Sequence, residues 1–146
     1  MQNLSNPLPS KSSTEFFPIK EIILEGGSKI LIAKIIGTVD GYKVRPLEEK
    51  VAGFFNQGIR YFILNFSCIQ HSPGTTGMGL LIKFADIYQE KGGEFILVGL
   101  SNPYINLFEM LGILSFFKIY ENEEQAIAYL DAKNKMKQNS TISKRT

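Results

Sequence analysis

Three hydroxyl side chains, those of Ser72, Thr75 and Thr76, lie in a short loop between two apolar segments. The segment before the loop has the pattern of a strand, and the segment that begins at Gly77 has the pattern of a helix. Small hydroxyls at such a place can cap the free N–H groups of the helix. They can also accept a phosphate, whose charge suits the partial positive charge of a helix amino terminus. The residues alone favour capping and leave modification or ligand binding open.

The other reactive side chains near this loop do not form a recognisable catalytic set. His71 is the only histidine and Cys68 the only cysteine, so no histidine–cysteine cluster is available for a metal. We expect His71 at the surface and Cys68 packed as a small apolar residue at the end of a strand. The stretch GTTGMG, residues 74–79, matches neither a P-loop nor a dinucleotide fingerprint. The sequence therefore predicts a protein that is not an enzyme and that binds no metal or cofactor.

The composition is typical of one globular domain with polar ends. Of the 146 residues, 44% are hydrophobic and 21% are charged. Five of the 16 Lys and Arg residues and one of the 14 acidic residues lie at 131–146, which leaves 11 basic and 13 acidic residues before it. We interpret this basic end as a solvated tail and not as a nucleic-acid surface, because it is short and lacks aromatic residues.

The chain shows no signal for export or for a membrane. Its polar first residues contain no apolar signal region, and no apolar run approaches the roughly 18 residues of a membrane-spanning helix. A single free thiol suits a reducing compartment, so we expect a cytoplasmic protein without membrane insertion. The predicted organisation is a disordered leader at 1–14, one domain at 15–132 and a basic flexible tail at 133–146.

Alternating strand-like and helix-like segments predict how the loop is positioned. Two β-branched runs joined by glycines, 16–24 and 30–39, predict an antiparallel hairpin. After it, helices alternate with strands in the order β-β-α-β-α-β-α-β-α, which predicts an α/β fold with a mixed, mostly parallel sheet and about four helices. The later strands are predicted at 61–66, 94–100 and 116–120, and the helices within 44–56, 77–90, 102–112 and 121–137.

Several residues predict where these helices begin. Pro46 fits the first turn of the first helix. Asn102 is the expected cap of the third helix, with Pro103 at the first helical position. Asn122 and Gln125 have the spacing of a capping box at the start of the last helix.

The order of elements and several short motifs resemble the STAS domain, and within it the bacterial anti-sigma factor antagonists. The motif GTVD at 37–40 is similar to the family's element before its first helix, and LNFSCI at 64–69 is similar to its strand end. TTGMGLL at 75–81 is similar to its loop and helix start, and residues 92–130 resemble its closing half. The similarity covers residues 16–131 and implies a single STAS-like α/β domain.

The resemblance also implies a mechanism. Unphosphorylated antagonists bind an anti-sigma factor, often also a serine kinase with a histidine-kinase-like ATP-binding fold, and thereby free a sigma factor. Phosphorylation of the first serine of the loop breaks the complex, and a phosphatase restores it. By this resemblance Thr75 holds the position of that serine and Thr76 the position of the second serine, with Ser72 as a weaker alternative acceptor.

The sequence departs from the family pattern close to this acceptor. The acceptor is a threonine, and Gly74 replaces the Asp that usually precedes it. Asn65 stands in the position of the Asp that usually begins the family's Asp-Leu-Ser motif near the strand end, and the loop between Asn65 and Gly77 is one residue longer and contains Pro73. Phosphorylation of Thr75 is therefore the hypothesis that most needs a test.

Three functions compete at this stage. The chain is a partner-binding module switched by phosphorylation, a STAS scaffold that binds without phosphorylation, or a sensor of a small ligand. In the first two cases the loop after residue 40 and the helix start near residue 77 should form the docking face, with Met78 equally able to pack in the core. The expected partner-contacting residues are Asp40, Tyr42, Gly74, Thr76, Gly77 and Met78.

Overall fold

Five strands and four α-helices make up the part of the chain that the computed structural model describes, residues 18–37, 41–69 and 75–145. Side chains are described throughout these ranges except at 41–44, 75–76 and 138–145. The elements are β1 (Ile19–Ile23), β2 (Lys29–Gly37), α1 (Gly41–Asn56), β3 (Tyr61–Ile69), α2 (Thr75–Glu90), β4 (Glu94–Val98), α3 (Asn102–Met110), β5 (Lys118–Tyr120) and α4 (Glu123–Arg145). Two short 3-10 turns lie at Glu25–Gly27 and Leu114–Phe116.

The strands form one sheet in the order β1-β2-β3-β4-β5. β1 is antiparallel to β2, with Ile19 opposite Ala33, and the other three pairs are parallel. The predicted hairpin, the mixed sheet and the order of elements are therefore confirmed. Because β2, β3 and β4 run in the same direction, their carboxyl ends lie at one edge of the sheet, and α1 and α2 begin from that edge.

Both faces of the sheet are covered by helices, and alternation along the strands divides the core accordingly. On one face, residues such as Leu31 and Leu64 pack with α1, α2 and α3. On the other face, residues such as Ile32 and Ile63 pack with Ala126 and Leu130 of α4. The central strand β3 is buried without interruption from Tyr61 to Phe66, because both of its faces are covered.

Two helix starts differ from the sequence prediction. Pro46 lies inside α1, which begins at Gly41, and not in its first turn. The helix accommodates it without the hydrogen bond that residue 46 would otherwise donate to the carbonyl of residue 42. The apolar period becomes visible only at residue 44, which is why the earlier start was missed. Asn102 is the first residue of α3, and Ser101 is its N-cap, so the predicted cap was displaced by one residue.

Cys68 does not pack as a small apolar residue. β3 continues to Ile69, beyond the predicted end at residue 66, and Cys68 is exposed within it. The ladder between β2 and β3 shifts register after Lys34, and Cys68 then pairs with Ile36, whose side chain is 41% exposed. The thiol of Cys68 therefore reaches solvent, while the neighbouring Ile69 is partly buried against the core.

The last helix begins as predicted and ends later. One half of the expected capping box is confirmed, because the N–H of Gln125 donates to Oδ1 of Asn122 at 2.9 Å. The side chain of Gln125 accepts the backbone N–H of Glu121 at 3.0 Å and not that of Asn122. The helix runs to Arg145, although the pattern predicted an end near residue 137. Asn134 is 3% exposed and its Nδ2 donates to the carbonyl oxygen of Glu25 at 2.9 Å. The flexibility of the tail at 133–146 stays a prediction.

In the described part of the chain no helix has the length and apolarity needed to cross a membrane.

Candidate functional site

The candidate site lies at the edge of the sheet where β2, β3 and β4 end. α1 begins at Gly41, shortly after β2, and α2 begins at Thr75, shortly after β3. The two helices are neighbours on the same face, and Lys83 of α2 contacts Glu48 of α1 at 2.6 Å. The amino termini of α1 and α2, each with a partial positive charge and with N–H groups that have no partner within the helix, therefore emerge from the same edge.

The structure describes only part of the predicted site. The described residues do not include Asp40, His71, Ser72, Pro73 and Gly74. Tyr42, Thr75 and Thr76 lie in the first turns of α1 and α2, with their backbone described and their side chains not. Whether a threonine side chain caps α2 or accepts a phosphate stays a prediction.

The two described residues of the predicted docking face have different environments. Gly77 is buried in the first turn of α2. Met78 is half-buried and packs against the core cluster on the side of α1, α2 and α3. The side chain of Met78 therefore contributes to the core and still exposes part of its surface near the start of α2.

A polar network next to the candidate loop was not found from the sequence. Asn65 lies on β3 and is only 8% exposed. Its Nδ2 donates to Oε2 of Glu123 at 2.6 Å, and its Oδ1 accepts the backbone N–H of Ser67 at 2.8 Å. The side chain thus joins the middle of the central strand to the first turn of α4.

Glu123 is held as a charged carboxylate by this network. Its Oε1 is 2.8 Å from Nζ of Lys20 on β1, and its side chain is 17% exposed. Burial acts to raise the pKa of Glu123, but hydrogen bonds from Lys20 and Asn65 and the charges of Lys20 and Lys34 outweigh it and lower this pKa. The carboxylate therefore links β1, β3 and α4 at neutral pH.

Gly99 is necessary for the close packing of this network. It follows β4 with a φ of +77°, and a Cβ atom there would lie 2.9 Å from the backbone N of Ser67 and 3.0 Å from Oδ1 of Asn65. Any larger residue would push against the end of β3 as well as adopting an unfavourable backbone conformation.

Two sequence signals could have indicated this network. Asn65 is the one polar residue in the apolar run YFILNF, 61–66, and a buried polar side chain needs a partner. Glu123 lies in the first turn of the last helix, where an acidic residue also suits the helix dipole. Within the described residues, no group of three or more His, Cys, Asp or Glu side chains is placed to hold a metal ion.

Comparisons with known proteins agree with this arrangement of elements. The family model of the STAS domain matches residues 21–126. The anti-sigma-B factor antagonist of Staphylococcus aureus is 26% identical over 96 residues, which is 66% of this chain and 88% of that protein. The anti-sigma F factor antagonist of Paenibacillus polymyxa is 21% identical over 112 residues, which is 76% of this chain and 95% of that protein.

Solved structures of SpoIIAA, an anti-sigma factor antagonist from Bacillus, share the fold. The unphosphorylated form has a TM-score of 0.61 at 20% identity and covers 78% of this chain and 96% of its own. The phosphorylated form has a TM-score of 0.61 at 21% identity and covers 78% of this chain and 98% of its own.

Proposed function

Because this chain belongs to the STAS domain family, we propose that it acts as an anti-sigma factor antagonist, a non-enzymatic protein that binds an anti-sigma factor and so frees a sigma factor. The observation that carries this proposal is the family match over 21–126 together with relatives named as antagonists. The placement of the α1 and α2 amino termini at one edge supports it, since a partner can contact both at once.

The proposed switch is phosphorylation of Thr75, with Thr76 and Ser72 as alternative acceptors. Thr75 is the first residue of α2, where the helix dipole stabilises an anion. A phosphate would add roughly −1.5 to −2 charges at pH 7. This chain would keep its fold, while a partner docked on the same edge would meet a new negative charge and dissociate.

The proposed partner is an anti-sigma factor that is also a serine kinase with a histidine-kinase-like ATP-binding fold, and a phosphatase would reverse its action. The contacts would come from Asp40, Tyr42, Gly74, Thr76, Gly77 and Met78. Of these, Met78 has a described side chain with exposed surface next to the start of α2. We place this exchange in the cytoplasm of a bacterium.

The test is affinity capture from native lysate with ATP present. Wild type, Thr75→Glu and Ser115→Glu are compared, and the captured proteins and phosphosites are identified by mass spectrometry. Ser115 is exposed and precedes β5, so the control adds the same charge at the opposite edge of the sheet. We expect wild type and Ser115→Glu to capture an anti-sigma factor and Thr75→Glu to lose it.

Each part of the proposal can fail separately. If none of the three proteins captures an anti-sigma factor, the antagonist function is wrong. If Thr75→Glu captures it as well as wild type does, and no phosphate is found on residues 72–76, the chain is a scaffold without a phosphorylation switch.

A further inference from the structure

A groove of about 360 Å³ lies on the α4 side of the sheet, at the same edge from which α1 and α2 begin. β2 and β3 extend along this edge to Gly37 and Ile69, and the groove lies over the last residues of β2. It therefore adjoins, across the edge of the sheet, the face on which the anti-sigma partner is proposed to dock. The groove is lined by Pro18, Ile19, Lys20, Ile32, Lys34, Ile36 and Glu123.

The floor of the groove is apolar and partly exposed. Ile32, Lys34 and Ile36 are two residues apart along β2, so their side chains point to the same face of the sheet. Ile36 is 41% exposed. Cys68 of β3 pairs with Ile36 in the parallel ladder and is exposed as well. A partner that covers this apolar surface removes it from water, which favours binding.

Lys34 carries a charge in the groove that is not neutralised by an ion pair. Lys20 and Glu123 neutralise each other, with 2.8 Å between Nζ and Oε1. The charge of Lys34 helps to lower the pKa of Glu123, but among the described residues Lys34 makes no ion pair. Two lysines and one glutamate in the lining leave a net charge of +1. A partly buried ammonium beside apolar surface favours an occupant that brings a carboxylate.

The acidic side chains near the groove restrict how such an occupant can lie. Glu121 and Glu124 line the adjoining depression at the start of α4, which also includes Lys34. A carboxylate would be repelled by like charges there. It should therefore bind on the β2 side of Lys34, beside Ile36.

We propose that the anti-sigma factor also contacts this groove, with an apolar side chain over Ile36 and a carboxylate beside Lys34. A partner that spans the edge of the sheet would then contact the start of α2 on one face and the end of β2 on the other. The inference rests on the proposed function, and it adds Lys34, Ile36 and Cys68 to the predicted contact residues.

The first test measures the affinity of the full-length protein for the anti-sigma factor, which is purified after its identification in the capture experiment. Lys34→Glu reverses the charge in the groove, and Lys34→Met removes it but keeps a side chain of similar length. Lys91→Glu makes the same reversal at the opposite edge, where Lys91 is exposed after α2. We expect binding to weaken about tenfold in Lys34→Glu and severalfold in Lys34→Met, with no change beyond about twofold in Lys91→Glu.

The second test uses the thiol of Cys68, the only cysteine of the chain. Its alkylation by iodoacetamide is followed with and without the purified anti-sigma factor, and we expect the bound factor to slow the reaction at least severalfold. The control combines Cys68→Ser with Ser115→Cys, which moves the single thiol to the exposed position before β5. In this control we expect the same rate with and without the factor.

The outcomes separate this inference from the proposed function. The contact with the groove is overturned if Lys34→Glu binds the factor as well as wild type does, or if the bound factor leaves the alkylation of Cys68 unchanged. In both cases the antagonist function stands. If no anti-sigma factor binds wild type, both proposals are wrong. If alkylation slows as the concentration of this chain alone rises, a second copy covers the groove and the inference is overturned.

Discussion

Replacing Asn65 with Asp would place two carboxylates next to each other in the middle of the central strand. Nδ2 of Asn65 now lies 2.6 Å from Oε2 of Glu123, and the substitution exchanges this donor for a second acceptor. The bond to the N–H of Ser67 uses Oδ1 and is preserved. The perturbation is therefore confined to the pairing of β3 with the first turn of α4.

The expected cost at pH 7 follows from two contributions. Losing a hydrogen bond to a charged group costs about 1.5–3 kcal/mol. Repulsion between the two carboxylates adds to this cost about 1.4 kcal/mol for each pKa unit by which it raises the pKa of a carboxyl group. Lys20, whose Nζ is 2.8 Å from Glu123, offsets part of the repulsion. We expect the free energy of unfolding to fall by about 2–3 kcal/mol.

The effect should depend on pH with a defined sign. In wild type the pKa of Glu123 is lowered, so its contribution to stability is complete at neutral pH and is lost as the pH falls through that pKa. In Asn65→Asp the pKa of the carboxyl pair is raised above its unfolded value. The folded variant then binds more protons than the unfolded chain. The difference in the free energy of unfolding between the variant and wild type should therefore become smaller as the pH falls from 7 to 5.

The assay is urea denaturation at pH 7 and pH 5, with Glu123→Gln added to Asn65→Asp as the matched control. In the double variant the glutamine amide can donate to the new carboxylate, and we expect recovery of at least half of the loss. A loss below about 0.5 kcal/mol at pH 7, within the usual range of surface substitutions, would refute the reasoning. A double variant as unstable as Asn65→Asp would refute it as well.

Three further predictions test other parts of the fold by the same denaturation assay. Gly99→Ala should destabilise by about 2–4 kcal/mol, because it adds a close contact to an unfavourable φ. The control is Gly112→Ala, because Gly112 has a similar φ of +74° but an added Cβ there has no atom within 4 Å. This variant should lose only about 1 kcal/mol of the free energy of unfolding, and an equal loss in both variants would contradict the crowding at Gly99. Tyr88→Phe should raise the free energy of unfolding by about 1 kcal/mol, since it removes a buried hydroxyl that has no hydrogen-bond partner among the described residues; a decrease of that size would mean that the hydroxyl has a partner. Asn134→Ala should lower the free energy of unfolding by about 0.5–1.5 kcal/mol, because it removes the hydrogen bond from Nδ2 of Asn134 to the carbonyl oxygen of Glu25, and no change would indicate that α4 does not pack there.

The fold was predictable because local patterns agree with the global arrangement. β-branched runs alternate with segments of helical period, so the order of elements and the hairpin followed from the sequence and are confirmed. The capping of the last helix was also predictable, since Asn122 and Gln125 are three residues apart and interact locally. The start of α1 was not predictable, because residues 41–43 precede the apolar period. Pro46, which usually lies in a first turn, indicated a start later in the chain than the true one.

The presence of a buried polar group at Asn65 was readable from the sequence, but its partner was not, because the two residues are distant in the chain. Asn65 and Glu123 are separated by 58 residues, and the hydrophobic periodicity of the sequence gives no information on contacts between residues so far apart. The exposure of Cys68 depends on a register shift between β2 and β3, which also leaves no local signal. The docking residues came from the family resemblance, and their roles stay predictions.

The strand order has a consequence for how the chain folds during synthesis. Because the order in the sheet is the order along the chain, each strand can pair with a predecessor that has already left the ribosome. Each parallel pair still spans a crossover helix, but no strand has to wait for one that lies further away along the chain. α4 is the exception, since it covers β3, β4 and β5 last. One face of the sheet therefore stays uncovered until residues 123–134 emerge, and the closing of the Asn65–Glu123 hydrogen bond marks the completion of the domain.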